Sequence, residues 1–274
     1  MTTKKILLTG ATSGIGLETA QALAAKGHHL LVHGRSKKKV DALERVLAAI
    51  SGAGPVDGYV ADLSSLAGVE ALAATVGEEH DTLDVLINNA GVLKTETPRT
   101  ASGHDVRFVV NTFAPYLLTR RLLPLFPKAG RVINLSSAAQ APVDLDALAG
   151  RVPLSDFEAY AQSKLAVAAW SRWLAEAHPD GPAIVSVNPG SMLGTKMVEE
   201  GFGVAGKDVA IGARILTRLA LSEDVASATG RYFDNDAGRW SSPHPDALDA
   251  NKTEAIVEAI EAQLAQLTKG RRAS

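Results

Sequence analysis

Short apolar runs recur along the chain, and each gives way to a longer amphipathic stretch. "KILLTG" from Lys5, "HLLVHG" from His29, "GYVADL" from Gly58, "LDVLINNAG" from Leu83, "RVINLSS" from Arg131 and "PAIVSVNPG" from Pro182 are such runs, and "GRYFDND" from Gly230 is a seventh. They are apolar almost throughout rather than alternating. That pattern belongs to parallel strands covered by helices on both faces. Between them lie helical stretches. "IGLETAQALAAKG" puts Ile15, Thr19, Ala22 and Leu23 on one face and stops at Gly27. "DVRFVVNTFAPYLLTRRLLPLF" reads as a long helix despite Pro115, and "SDFEAYAQSKLAVAAWSRWLAEAH" opens with Ser155 and Glu158 at capping-box spacing. The expected fold is therefore α/β: a doubly wound parallel sheet of about seven strands in three layers, one domain over residues 1–274.

Two connections look irregular, 138–154 and 190–206. Each follows the carboxyl end of an expected strand, where ligands bind in such sheets. "TEAIVEAIEAQLAQL" reads as a C-terminal surface helix. The 274 residues carry a formal net charge of -2, which argues against nucleic-acid binding. No window approaches the roughly 18 apolar residues of a membrane span. The start is too short in its apolar run for a signal peptide, so the expected location is cytoplasmic. Cysteine is absent, which excludes thiolate metal sites. His28, His29 and His33 read as packing or surface histidines, away from the expected chemistry, and no metal is expected.

"LLTGATSGIGLE" places Gly10, Gly14 and Gly16 between the first strand and the first helix. A sharp turn, a close backbone approach and an open helix N-terminus together suit a pyrophosphate. The second strand ends in "HGRSKKK". An acidic residue in that position accepts hydrogen bonds from a ribose 2′-hydroxyl, whereas a guanidinium pairs with a 2′-phosphate. Arg35 therefore predicts NADP(H) rather than NAD(H), and the three lysines read as a solvated helix start. Further on, "EAYAQSK" sets Tyr160 four residues before Lys164, on one helical face. An ammonium near a phenol lowers the phenol's pKa from about 10. The pair suits proton transfer to a carbonyl oxygen.

In order along the chain stand "TGATSGIG", Asp62-Leu63, "NNAG", Asn111 in "VNTF", "NLSS", "YAQSK" and "NPG". In these the chain resembles the short-chain dehydrogenase/reductase family in its single-domain form, with a Rossmann fold. The resemblance implies an oxidoreductase moving a hydride between NADP(H) and a small alcohol or carbonyl substrate. It implies Tyr160 as general acid or base, Lys164 on the nicotinamide ribose, Ser137 on the substrate oxygen, and Asn111 holding a relay water. It implies a cofactor held by Gly10, Thr12, Ser13, Gly14, Ile15, Gly16, Arg35, Asp62, Leu63, Asn89, Ala90, Gly91, Pro189, Gly190 and Thr195. Asn88 would tie strands together, and Ser136 would face the other way from Ser137. The long gap between Ser137 and Tyr160, with Arg35 and "QSKLA", resembles the retinol-dehydrogenase-like and carbonyl-reductase branch. That points to an apolar substrate walled by Leu93, Pro142, Val143, Leu145, Met192, Leu193, Met197 and Phe202. Homodimers or homotetramers through the two long helices are common in the family. The competing readings are an NADP(H)-sensing regulator without turnover, and a nucleotide-sugar epimerase on a related fold. The four intact site residues disfavour the first, and the glycine spacing the second.

Overall fold

The apolar runs pair into one sheet whose two faces are both buried. The computed structural model describes residues 2–269, the side chains of Phe202, Thr268 and Lys269 lying outside that description. Its elements are β1 (Lys5–Leu8), α1 (Gly14–Ala24), β2 (His29–Gly34), α2 (Lys37–Ala48), β3 (Val56–Val60), α3 (Leu66–Glu79) and β4 (Val85–Asn88). There follow α4 (Val106–Phe108), a π-helical turn (Val109–Phe113), α5 (Ala114–Leu122), β5 (Arg131–Leu135), α6 (Leu145–Leu148), α7 (Asp156–Ala177) and β6 (Ala183–Asn188). The chain ends through α8 (Lys196–Phe202), α9 (Ala210–Leu221), β7 (Tyr232–Asp234), β8 (Arg239–Ser241) and α10 (Ala250–Lys269).

Strand order is β3-β2-β1-β4-β5-β6-β7-β8, parallel except for β8. Successive side chains point to opposite faces of a strand. Leu7, Leu31, Leu86, Val132 and Ile184 accordingly pack beneath α3, α5, α7 and α10. Ile6, Leu8, Leu30, Val32, Ile87, Ile133 and Val185 pack beneath α1, α2 and α9. The three layers follow from this double burial, each buried aliphatic contributing about 1.5–3 kcal/mol. The order reverses between β1 and β4. The crevice at their carboxyl ends, at Gly10 and Asn89–Gly91, is where such sheets bind ligands.

The sheet has eight strands rather than seven. After Gly238, at φ 67°, the chain turns back and β8 pairs antiparallel with β7, Phe233 opposite Trp240. The two rings meet edge-on at 5.2 Å. The segment 138–154 is also more ordered than expected. The Asp144 carboxylate accepts the Asp146 and Ala147 N–H groups and caps α6, and the Asp144 N–H donates to Gln162 Oε1 of α7 at 2.9 Å. The capping box at Ser155 and Glu158 forms as the spacing predicts. Among the described residues no helix is long and apolar enough to cross a membrane.

Candidate active site

At the end of β1 the backbone turns through Gly10, at φ 66°. A Cβ there would stand 2.9 Å from the Ala90 Cα, and one at Gly16 would stand 2.3 Å from the Gly10 carbonyl oxygen. No residue with a side chain fits either place without displacing the backbone. Ser13 is the N-cap of α1 in extended conformation, and its side chain makes no capping hydrogen bond. The hydroxyl and the first helical N–H groups are thus left for an anion. The loop is held from β4: the Asn89 side-chain amide donates to the Thr9 and Gly10 carbonyls at 2.8 and 3.1 Å. The Thr9 hydroxyl accepts the N–H groups of Asn89 and Ala90. Thr12 packs where Gly34 lacks a side chain, and the exposed Arg35 follows at once. On the neighbouring strand end Leu63 is buried, while the exposed Asp62 accepts from the Ser64 N–H and hydroxyl. These features fit a phosphate-bearing dinucleotide.

Gly91 joins this cradle to the second cluster. A Cβ on it would lie 3.3 Å from Asn111 Oδ1, 3.5 Å from Lys164 Nζ and 3.8 Å from Met197 Cε. Asn111 sits in the π-helical turn. Its side chain accepts the Val92 N–H at 2.8 Å and donates to the Val92 carbonyl at 2.9 Å and to Ser163 Oγ at 3.0 Å. The Lys164 ammonium donates to the Leu135 carbonyl at 2.8 Å and stands 5.6 Å from the centre of the Tyr160 ring. The Ser137 hydroxyl lies beside the Tyr160 phenol and acts to lower its pKa. Ser136 faces away, as the strand alternation predicts, and donates to the Lys164 carbonyl at 2.7 Å. Asn88 does tie strands, donating to Asn134 Oδ1 at 2.8 Å across β4 and β5.

The electrostatics depart from the expectation of an acidified phenol. Tyr160 keeps an exposed edge, but its phenol lies deep in the protein, and burial pushes its pKa up. The neighbouring Ser137 hydroxyl pulls the other way and is outweighed. Burial also lowers Lys164 to about 8. Four-residue spacing predicts a shared helical face, but not the desolvation that comes with it. Desolvation disfavours the charged form of either group.

The 190–206 connection folds over both clusters. The Pro189 carbonyl accepts from the Asn235 amide, and Gly190 turns at φ 127°. Met192 takes a left-handed φ of 56° and is exposed, as are Pro142 and Leu145, so these three do not line an enclosed pocket. Leu93 and Leu193 are buried, and Val143 packs against the core. Thr195 caps α8, and its methyl lies 3.3 Å from where a Gly14 Cβ would be. That puts it against the glycine loop.

The model of the short chain dehydrogenase family matches residues 4–203. The chain belongs to that family. Retinol dehydrogenase 13 of Homo sapiens is 30% identical, over 96% of this chain and 84% of that protein. Among solved structures, the Pseudomonas aeruginosa RhlG/NADP active-site complex superposes with a TM-score of 0.69 at 25% identity, covering 86% of this chain and 95% of that one. The promiscuous reductase LugOII, which catalyses keto-reduction at C1 during lugdunomycin biosynthesis, superposes at 0.67 with 28% identity, covering 86% and 96%.

Against the short-chain dehydrogenase pattern, two residues here were not legible as part of the site. His33 is buried, not peripheral. Its Nδ1 accepts the Gly10 N–H at 3.3 Å and its Nε2 pairs with the Ala61 carbonyl at 3.1 Å. It thereby braces the glycine loop against the end of β3 as a neutral imidazole. Burial lowers its pKa and favours that form. The signal lay in its position, two residues before Arg35 at a strand end. The other is Arg107, buried one turn before Asn111.

Proposed function

We propose that the chain transfers a hydride between NADP(H) and an apolar alcohol or carbonyl compound, with Tyr160 as the group that moves the proton. NADPH supplies the hydride when bound; everything else falls to the chain's own residues. The observation that carries this reading is the contiguity of the two clusters. Through Gly91 the glycine cradle opens directly onto Asn111 and Lys164, with the Tyr160–Ser137 pair beside them.

Ser137 and Tyr160 together hold the carbonyl oxygen of the substrate and polarise its carbon. As negative charge develops on that oxygen, Tyr160 donates its proton. A phenol kept protonated by burial is suited to that direction, reduction. Lys164 has one N–H committed to Leu135 and offers its others to the nicotinamide ribose hydroxyls. The proton returns to Tyr160 through Lys164 and a water held by the Asn111 carbonyl. The α-helical donor to that carbonyl would be residue 115, and Pro115 has no N–H. Thr12, Ser13, Gly14, Ile15 and Gly16 take the pyrophosphate, with Thr195 closing over Gly14. Arg35 pairs with the 2′-phosphate, Asp62 and Leu63 flank the adenine, and Asn89, Ala90 and Gly91 line the adenosine ribose. Pro189 and Gly190 flank the nicotinamide. The NADP complex of RhlG and the keto-reduction by LugOII support the cofactor and the direction. The likeness to a retinol dehydrogenase supports an apolar substrate.

The test is NADPH oxidation with a panel of aldehydes and ketones, for the wild type and Tyr160→Phe. The variant keeps NADPH affinity and loses about 100-fold or more in turnover. Equal turnover in the two proteins would remove Tyr160 from the chemistry.

A further inference from the structure

Tyr160 stands on α7 between two polar fastenings to the segment that carries Asn111. The first lies beyond it in sequence. The Asn111 amide donates to Ser163 Oγ at 3.0 Å, and the Thr112 hydroxyl donates to the Ser163 carbonyl at 3.0 Å. The second lies one turn before it. Arg107, only 1% exposed, donates through Nε to Asp105 Oδ1 at 2.8 Å and through a terminal nitrogen to Asp105 Oδ2 at 2.6 Å. Its other terminal nitrogen donates to Asp156, the first residue of α7, and to the Leu93 carbonyl at 3.3 Å. One planar guanidinium therefore joins three segments: the β4–α4 connection two residues after Gly91, the helix start four residues before Asn111, and the helix start four residues before Tyr160.

We propose that Arg107 is a positioning residue that, through Asp156, sets where the Tyr160 phenol stands relative to Asn111 and Ser137. The proposal rests on the reading of Tyr160 as the proton donor. A buried guanidinium is costly unless its donors are met, and two carboxylates and a carbonyl meet them here. Its fork has fixed geometry, so it constrains angle as well as distance. Residues four apart on a helix share a face, so a shift at Asp156 is carried to Tyr160 one turn on. Beyond Tyr160, α7 is fastened at Gln162, Ser163 and Lys164, whereas on the N-terminal side of Tyr160 the side-chain tie to the Asn111 segment is the one from Arg107 to Asp156. Stability does not require Asp156 for α7 to start, because the Ser155–Glu158 capping box supplies the cap. Asp156 is about half exposed, so its loss leaves no buried charge of its own, and Arg107 keeps both bonds to Asp105.

The test variant is Asp156→Asn, with Arg107→Lys as the harsher companion. The chain has four tyrosines. Labelling their Cζ carbons with 13C gives few NMR signals, and Tyr160→Phe assigns the one that matters. In Asp156→Asn the Tyr160 signal moves while those of Tyr59, Tyr116 and Tyr232 stay. Turnover with hexanal, benzaldehyde and all-trans-retinaldehyde falls by about tenfold, as expected for a misplaced reacting group. NADPH affinity stays within about twofold, since no cradle residue is touched. An unmoved Tyr160 signal with unchanged turnover would overturn the proposal. So would a fall in Tm with all four signals moving together, which is what a purely structural ion pair predicts. Absence of turnover in the wild type would instead sink the reading of the reaction, and the NMR comparison would still decide what Arg107 sets.

Discussion

Lys164 is a buried ammonium, and its function and its stability pull apart. In the folded protein its pKa is about 8, against 10.5 for an ordinary lysine. The unfolded chain therefore binds the proton more tightly, and folding is opposed wherever the folded group is still charged. That opposition is complete below pH 8, fades between 8 and 10.5, and is gone above. The difference between the two states corresponds to about 3 kcal/mol. Lys164→Met is thus expected to be inactive yet more stable at pH 7, by up to about 3 kcal/mol less the lost bond to Leu135. Its advantage should shrink steadily above pH 8. Denaturant unfolding at pH 7 and 9.5 measures both, and a variant less stable than the wild type at pH 7 contradicts the argument. Arg35 makes the opposite case, an exposed cation whose effect, on the proposed reading, is confined to recognition. Arg35→Asp should lose about 10- to 100-fold in kcat/KM with NADPH, the worth of a charge-assisted contact, and lose nothing with NADH. An unchanged ratio of the two would dismiss the 2′-phosphate pairing. The placement of both was legible from the sequence, Lys164 beside Tyr160 from their spacing and Arg35 just after β2 from the strand end. The direction of the Tyr160 shift was not, because burial is a property of the packed site.

Elements that are long and apolar announce themselves in the sequence; those held by a single contact do not. The parallel strands β1, β2, β4, β5 and β6 could be read because both faces are covered, whereas the edge strand β3 leaves Gly58 and Val60 exposed. β8 is three residues of mixed polarity held by Trp240 against Phe233, and no periodicity can develop over that length. α6 is four residues closed by Asp144 and by Gln162 from another helix, a contact invisible along the chain. The π-helical turn is the informative case. A proline inside an expected helix looks like an obstacle, but the distortion falls immediately before it, on Val109–Phe113. Such turns occur often at functional sites, and this one contains Asn111. In Pro115→Ala the new N–H can bond the Asn111 carbonyl and regularise the helix. The variant should gain stability, by about 1–3 kcal/mol at most, and lose turnover severalfold as the carbonyl is withdrawn from its water. NADPH affinity should not change. Thermal unfolding beside steady-state kinetics decides it, and full turnover in a stabilised variant would take the carbonyl out of the relay.

At the scale of the molecule, α10 occupies the surface that the family resemblance assigns to dimers. It packs on α7 and touches α3 and α6. Ile256, Val257, Ile260 and Leu264 are buried in the same cluster as Tyr116, Trp170 and Leu174. Its polar residues fasten the edges. Tyr116 donates to Glu261 at 2.7 Å, Arg120 pairs with the same carboxylate, and His104 pairs with Gln263 at 2.9 Å. A second copy could reach that face of α7 only by displacing α10. Four buried aliphatic side chains at about 1.5–3 kcal/mol each oppose the exchange. The intact chain should therefore sediment as a monomer at micromolar concentration. A chain ending before Ala250 should self-associate through the uncovered apolar face, since exposed patches of this kind drive association. Sedimentation equilibrium of both chains is the measurement. A dimer of the intact protein that persists when Trp170, beneath α10, remains inaccessible to a quencher would mean that assembly uses another surface.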